Sequence, residues 1–233
     1  MLKDRQKSIL EATILEHVRT AKPVASQELI RGFGLKVGSA TVRNEMLKLD
    51  KLGYLEQPHT SAGRIPTDKG YRFFVDNLSE EINLSEREQK LINKTFKETD
   101  EVEEFIKELS RAVSQLTGSL TATGVFEDEI FYEAGFSEIL KEPEFQEAEY
   151  IERFGRLIDS LEENIREFFD DFDTKTERVF IGEENPIKEA KNCTMTISSW
   201  EHPCGFKGFI SIVGPKRTDY RKKISLIRYL KEI

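Results

Sequence analysis

The chain has 233 residues, of which 33 % are charged and 38 % apolar, with a net charge of −8. That length accommodates one large domain or two to three small modules, and the apolar content suffices for a folded core. No apolar run approaches the roughly 18 residues of a spanning helix, the opening residues are amphipathic and not signal-like, and the two cysteines, Cys193 and Cys204, make no disulfide framework, so membrane and secreted classes fall away and a cytoplasmic protein is expected.

Charge is spread unevenly: residues 1–78 carry a net +4, residues 79–178 carry −16 and residues 179–233 carry +4. A basic head on an acidic body suggests a module that faces a polyanion.

From Asp4 to about Ala21, Ile9, Leu10, Ile14, Leu15 and Val18 recur at helical spacing, and Pro23 ends the segment. Ser26 is expected to cap a short second helix, Gln27 to Arg31, and Ser39 to cap a third, Ala40 to Leu52, closed by Gly53. Two extended segments follow, Tyr54 to Gln57 and Arg64 to Pro66, around a loop rich in turn residues, and Thr67 can cap a further helix.

Ser85 and Glu88 have the spacing of a capping box, ahead of a helix bearing Leu91 and Ile92. The next helix carries Val102, Phe105, Ile106, Leu109, Val113, Leu116 and Leu120 near heptad spacing. A third acidic stretch, about Glu144 to Phe172, carries Ile151, Phe154, Ile158, Leu161, Ile165, Phe168 and Phe172 in the same way. Such stripes pack inside their own subunit or against another; Leu109, Val113, Leu116, Ile151, Phe154, Ile158 and Leu161 are the candidate dimerisation residues. After Asp173, strands are expected at Arg178 to Ile181, Thr194 to Trp200 and Gly205 to Val213, then a terminal helix capped by Thr218.

Three helices followed by a hairpin is the plan of a winged helix-turn-helix, in which the third helix enters the major groove and the wing touches the flanking backbone. Val42, Met46 and Leu49 form the inward stripe of that helix, leaving Ala40, Asn44, Lys48 and Lys51 outward with Thr41 and Arg43 on the flanks. Arg pairs bidentately with guanine and Asn with adenine, while Ser39 and Ala40 are small enough for the helix N-terminus to approach phosphate. The wing supplies His59, Thr60, Ser61 and Arg64, the last expected to meet phosphate or the minor groove. The expected DNA-contacting set is therefore Ser39, Ala40, Thr41, Arg43, Asn44, Lys48, His59, Thr60, Ser61 and Arg64. Catalytic readings are weak. Cys193, His202 and Cys204 have no metal-ligand spacing, Glu183-Glu184 and the other carboxylates suit a solvated face, and Gly205, Gly208 and Gly214 straddle a strand where a phosphate loop would open a helix. No enzyme activity, metal or cofactor is expected.

Ser39-Ala40-Thr41-Val42-Arg43-Asn44-Glu45-Met46, Gly53-Tyr54-Leu55 and the long run from His59-Thr60-Ser61-Ala62-Gly63-Arg64-Ile65-Pro66 to Thr67-Asp68-Lys69-Gly70-Tyr71-Arg72-Phe73 resemble the head of the HrcA family of bacterial heat-inducible repressors. Leu140 to Phe145, Ile181 to Pro186 and Gly214 to Tyr220 agree more loosely. The resemblance implies a dimeric repressor of chaperone genes on an inverted-repeat DNA operator, an active fold that depends on a GroEL-type chaperonin, and a GAF-like C-terminal part with an inserted dimerisation segment. Family members are longer, so several GAF-like strands and much of the insertion are expected to be missing. The expected fold class is α+β: a winged helix-turn-helix over 1–78, a helical linker or dimerisation region over 79–121, and a reduced GAF-like αβ module with an acidic helical segment over 122–233. The alternative function is a protein-interaction module derived from such a repressor, with weakened operator binding.

Overall fold

The computed structural model describes residues 2–79, 81, 84–99, 101–126, 130–170 and 177–233, with backbone alone for 166–170. The chain folds into two units, Met1–Ser79 and Glu80–Ile233.

In the first unit, α1 (Asp4–Thr20), α2 (Ser26–Phe33) and α3 (Ser39–Lys51) precede a hairpin of β1 (Leu55–Glu56) and β2 (Ile65–Pro66), and α4 (Asp68–Asp76) follows. This is the order read from the sequence. Apolar periodicity is why the helices associate: Ile9, Leu10 and Ile14 of α1, Leu29 of α2, Val42, Met46 and Leu49 of α3, and Tyr71 and Phe74 of α4 are all buried. Two caps differ from expectation. Ala25 precedes α2 and its N–H donates to the Glu28 carboxylate (2.7 Å), while Gly38 precedes α3. Ser26 and Ser39 are thus the first residues of their helices, and their hydroxyls pair with each other at 3.1 Å, which diverts both from capping. Thr67 does cap α4, its hydroxyl accepting from the Gly70 N–H at 3.2 Å.

The second unit is built on a five-stranded antiparallel sheet of order β4-β3-β7-β6-β5, formed by β3 (Leu120–Val125), β4 (Phe131–Ala134), β5 (Arg178–Ile181), β6 (Cys193–Glu201) and β7 (Lys207–Pro215). Helices cover both faces. On one, α5 (Glu86–Glu98), α6 (Val102–Thr117) and α10 (Tyr220–Glu232) bury Ile92, Phe105, Leu109, Val113, Leu226 and Leu230 against Trp200, Ile210 and Ile212. On the other, α7 (Phe136–Ile139), a 3-10 turn at Pro143–Gln146, α8 (Ala148–Asp159) and α9 (Leu161–Asp170) bury Ile139, Phe145, Phe154, Leu157 and Leu161 against Met195, Ile197, Phe209 and Val213. Alternate residues of β7 enter opposite cores, as the two-residue period of a strand requires.

Several sequence expectations are corrected here. Leu120 does not continue the preceding helix: Gly118 takes a left-handed conformation (φ 62°), ends α6, and the chain turns into β3. The segment Leu120–Val125, where no strand was expected, is a central strand paired with both β4 and β7. Its run of Thr and Gly hid it, because a strand covered on both faces has no polar–apolar alternation. Residues 79–121 are no separate linker region either, since α5 and α6 pack on the sheet. The acidic helix beginning near Glu144 is three pieces, a 3-10 turn, α8 and α9; Phe172 lies outside the described residues, as does the side chain of Phe168. Asp219, not Thr218, caps α10, its carboxylate accepting from the Lys222 N–H at 3.0 Å. The Ser85–Glu88 capping box is present.

The candidate dimerisation stripes are mostly interior. Leu109, Val113 and Leu161 are 0 % exposed and Phe154 is 2 %, so they have no surface to offer a partner. Leu116 and Ile158 are half-buried against the same two cores, and Ile151 alone of the seven is well exposed, at 41 %. Heptad spacing records an apolar face but not what covers it, and here the sheet does.

Candidate nucleic-acid interface

The burial of Val42, Met46 and Leu49 fixes the rotation of α3 about its axis and turns Ala40, Arg43, Asn44, Leu47 and Lys48 to solvent. Ser39 and Thr41 are half-covered at the N-terminal turn. Glu45 Oε1 accepts from Lys48 Nζ at 2.8 Å, and that bond, with further help from Gln6 and Arg5, holds the Glu45 carboxyl below the usual carboxylate range. Lys48 therefore carries a local counter-charge that a phosphate would have to displace, whereas Arg43 and Asn44 have no such attachment in the ion pairs and side-chain bonds of α3.

The hairpin presents His59, Thr60 and Ser61 at its exposed tip. Gln57 braces that tip by donating from Nε2 to the carbonyls of Thr60 and Ala62, both at 2.9 Å. At its base, Arg64 pairs with Val24 through two backbone bonds of 2.9 Å, which adds a third short strand position to the hairpin. Gly63 is what permits this approach, because a Cβ there would overlap the Val24 backbone.

Arg64 is placed differently from expectation. Its Nε lies 2.6 Å from Asp50 Oδ2 in the last turn of α3, and its side chain is only 12 % exposed. The guanidinium is turned into the unit and is not held out for phosphate. The local signal for this was an acidic residue at the end of α3 facing the wing, which spacing alone does not reveal because Asp50 and Arg64 meet only once the hairpin folds back. Gln57 was missed for a similar reason: it lies just outside the loop it supports. The other sequence-selected residues all lie in the first unit, where the outer face of α3 and the wing tip are exposed.

The residues weighed for catalysis do not assemble. Cys193 begins β6 and is buried, while Cys204 is exposed in the turn beyond the other end of that strand. His202 is sandwiched by aromatic rings, stacked on Phe206 at 4.4 Å and on Phe96 at 5.7 Å, and its Nδ1 accepts from the Cys204 N–H. Among the described residues, no group of three or more His, Cys, Asp or Glu is arranged to hold a metal ion. No described helix is long and apolar enough to cross a membrane.

Comparison with known proteins agrees with this architecture. The family model described as HrcA protein C terminal domain matches residues 67–224. Curated relatives carry the name heat-inducible transcription repressor HrcA: that of Symbiobacterium thermophilum is 44 % identical over 140 residues, 60 % of this chain and 40 % of the relative, and that of Chloroflexus aurantiacus is 56 % identical over 95 residues, 41 % and 26 % of the two chains. The Carboxydothermus hydrogenoformans relative aligns over 99 % of this chain and 96 % of its own length at 25 % identity, but the alignment runs 330 positions against 233 residues and so passes over gaps in this chain. In the Symbiobacterium and Chloroflexus matches the chain thus spans less than half of the relative's length. A crystal structure described as that of a hypothetical protein superimposes with a TM-score of 0.73 over 100 % of this chain and 99 % of the other, and at 20 % identity it shows the shared fold alone. A family match over most of the chain, reinforced by relatives that carry one name, shows that this chain belongs to the HrcA family.

Proposed function

We propose that this chain is a transcriptional repressor that binds double-stranded DNA through a winged helix-turn-helix formed by α1 to α4, and that the five-stranded unit is a GAF-like module which carries assembly and regulation. The observation that carries the reading is the exposed face of α3 beside a braced wing, in a chain whose named relatives are heat-inducible repressors. Arg43 and Asn44 stand in the N-terminal half of α3, where helix-turn-helix proteins read base edges. Ser39, Ala40 and Thr41 meet the flanking phosphate through the helix N-terminus, Lys48 adds charge, and His59, Thr60 and Ser61 enter from the wing. The net +4 of residues 1–78 against −16 over 79–178 directs the head to the duplex and keeps the acidic part of the body away from it.

A single small module covers one half-site, so a dimer on an inverted repeat ahead of chaperone genes is the assembly this reading implies. With Leu109, Val113, Phe154 and Leu161 buried, the dimer surface is made by other residues, among which Ile151 with Phe136 and Leu140 are large and exposed. A GroEL-type chaperonin is the proposed folding partner, the cytoplasm the proposed compartment, and no catalytic step enters. The test is selection of duplexes from a randomised pool by the purified protein, followed by mass determination with and without the enriched duplex. Enrichment of an inverted repeat and a two-to-one complex are expected; failure to enrich any sequence would remove the reading.

A further inference from the structure

Within the stretch from Gly63 to Gly70, the side chains of Arg64, Thr67 and Lys69 all reach the C-terminal end of α3. There, two donors from the stretch end on backbone carbonyls and one cation forms an ion pair with a carboxylate. Arg64 Nε lies 2.6 Å from the Asp50 carboxylate, Lys69 Nζ donates to the Leu52 carbonyl at 2.8 Å, and the Thr67 hydroxyl donates to the Gly53 carbonyl at 2.7 Å. Lys69 also sits 4.5 Å above the Tyr54 ring. The last carbonyls of a helix lack intrahelical partners and carry the negative end of its dipole, so two cations and a hydroxyl are chemically suited to hold that end. Backbone bonds tie Arg64 to Val24 at the same point, and Gly63 and Gly70 lie so close to the backbone of Val24 and Tyr54 that neither position has room for a Cβ.

We propose that Arg64, Thr67 and Lys69 clamp the C-terminal end of α3, with Arg64–Asp50 as the central pair, and that this clamp sets the angle between α3 and the wing on which sequence discrimination depends. The inference rests on the DNA-binding reading above. Arg64 and Asp50 are positioning residues: they touch no base or phosphate. A wing and a helix that enter adjacent grooves must arrive together, and a pair locked before binding avoids the ordering cost of assembling them on the duplex. The partial cover of the pair, 12 % exposure for Arg64 and 33 % for Asp50, makes it a stronger constraint than a free surface pair, which salt and solvent would weaken.

The test uses the full chain in four forms: wild type, Asp50→Asn, Arg64→Gln, and the swapped pair Asp50→Arg with Arg64→Asp. Affinity is measured over a series of salt concentrations for the duplex the wild type enriches from a randomised pool and for a scrambled duplex of the same composition. Each single variant is expected to lose about tenfold in preference for the enriched duplex while the salt dependence of log K stays as in wild type, and the swap is expected to recover part of that preference. A phosphate contact gives a different pattern: Arg64→Gln alone makes the salt dependence shallower by about one unit, and Asp50→Asn strengthens binding to both duplexes because it removes a negative charge. That pattern, or unchanged preference in both single variants, overturns the proposal. Amide hydrogen exchange at Val24 and Arg64 without DNA supplies an independent arm. Asp50→Asn is expected to speed exchange there, and equal rates would dismiss the clamp even if DNA binding were intact. If the wild type enriches no duplex, it is the DNA-binding reading that has failed, and the exchange measurement still decides whether the clamp exists.

Discussion

Replacing Lys223 by Met is expected to stabilise the five-stranded unit and to remove most of its pH dependence between neutrality and pH 9. Lys223 lies in the first turn of α10, is 1 % exposed, and its Nζ has no hydrogen-bond acceptor among the described residues. Ser119 and Gly214 border the amine, where a Cβ on Gly214 would come within 3.3 Å of Nζ, and the charged or titratable groups that act on it are Cys193, Glu142 and Asp219. Burial pushes the ammonium from its ordinary 10.5 down to about 7, which corresponds to about 5 kcal/mol at 1.4 kcal/mol per pH unit. Between those values the unfolded chain holds a proton that the folded one has released, so stability rises with pH over that window and is flat below it. Burial also pushes the Cys193 thiol from 9.0 up to about 11. Above pH 9 the folded chain therefore keeps a proton that the unfolded one loses, which gives the opposite slope and ends the rise. Wild type should gain about 2 kcal/mol from pH 7 to pH 9, because at pH 7 half of the folded chains have already released the Lys223 proton and near pH 9 the Cys193 thiol begins to oppose the rise. The Met variant, with similar length and no charge, should be about 3 to 5 kcal/mol more stable at pH 7, with a midpoint higher by roughly 10 °C. Trp200 is the single tryptophan and is buried in this unit, so its fluorescence during urea unfolding follows the right transition. A flat wild-type profile from pH 7 to 9, or a Met variant less stable than wild type at pH 7, would refute the reasoning.

Arg43→Ala and Asn44→Ala should each cost about 1 to 3 kcal/mol on the enriched duplex and little on a scrambled one; equal losses on both in a binding titration argue against base contact. Leu161→Ala should destabilise the five-stranded unit by about 2 to 5 kcal/mol in urea, because the side chain is fully buried, while Ile151→Ser should change stability by less than about 0.5 kcal/mol, so any fall in solution mass in that variant locates the dimer surface at α8. The Glu88 carboxyl is pulled down to about 2, first by Lys222 at 2.7 Å and then by Ser85. Its contribution is present above pH 4.5 and lost as pH falls through 2, so Glu88→Gln should flatten the acid limb of the unfolding profile, and an unchanged limb would show that the pair contributes nothing.

Much of the head was legible because its signals are local. Helical spacing in Ile9, Leu10 and Ile14 or in Val42, Met46 and Leu49 states which face is inward, and Gly63 or Thr67 marks where the chain must turn or start a helix. The exposure of Arg43 and Asn44 follows from that spacing without any tertiary information. Arg64 could not be placed in the same way. A cation in a wing has two common destinations, phosphate or a carboxylate of its own fold, and the choice depended on Asp50, fourteen residues earlier and adjacent only after the hairpin closes.

In the second unit the balance reverses. The amphipathic period of α6 and α8 was present in the sequence, but an apolar stripe is satisfied equally well by a partner subunit or by a sheet, and only the packing of both helices on β3, β6 and β7 decided between them. The strand Leu120–Val125 was unreadable for a related reason: covered on both faces, it needs no alternation, and the Thr123 hydroxyl is taken up inside the unit, where Oγ1 accepts from the Ser110 hydroxyl at 2.8 Å. Charge, periodicity and turn chemistry are properties of neighbours along the chain, and they were enough to establish a basic head of three helices and a hairpin. Which surfaces remain free, which cations are already paired and where Lys223 is confined are properties of neighbours in space, and these were decided only when the strands closed into a sheet.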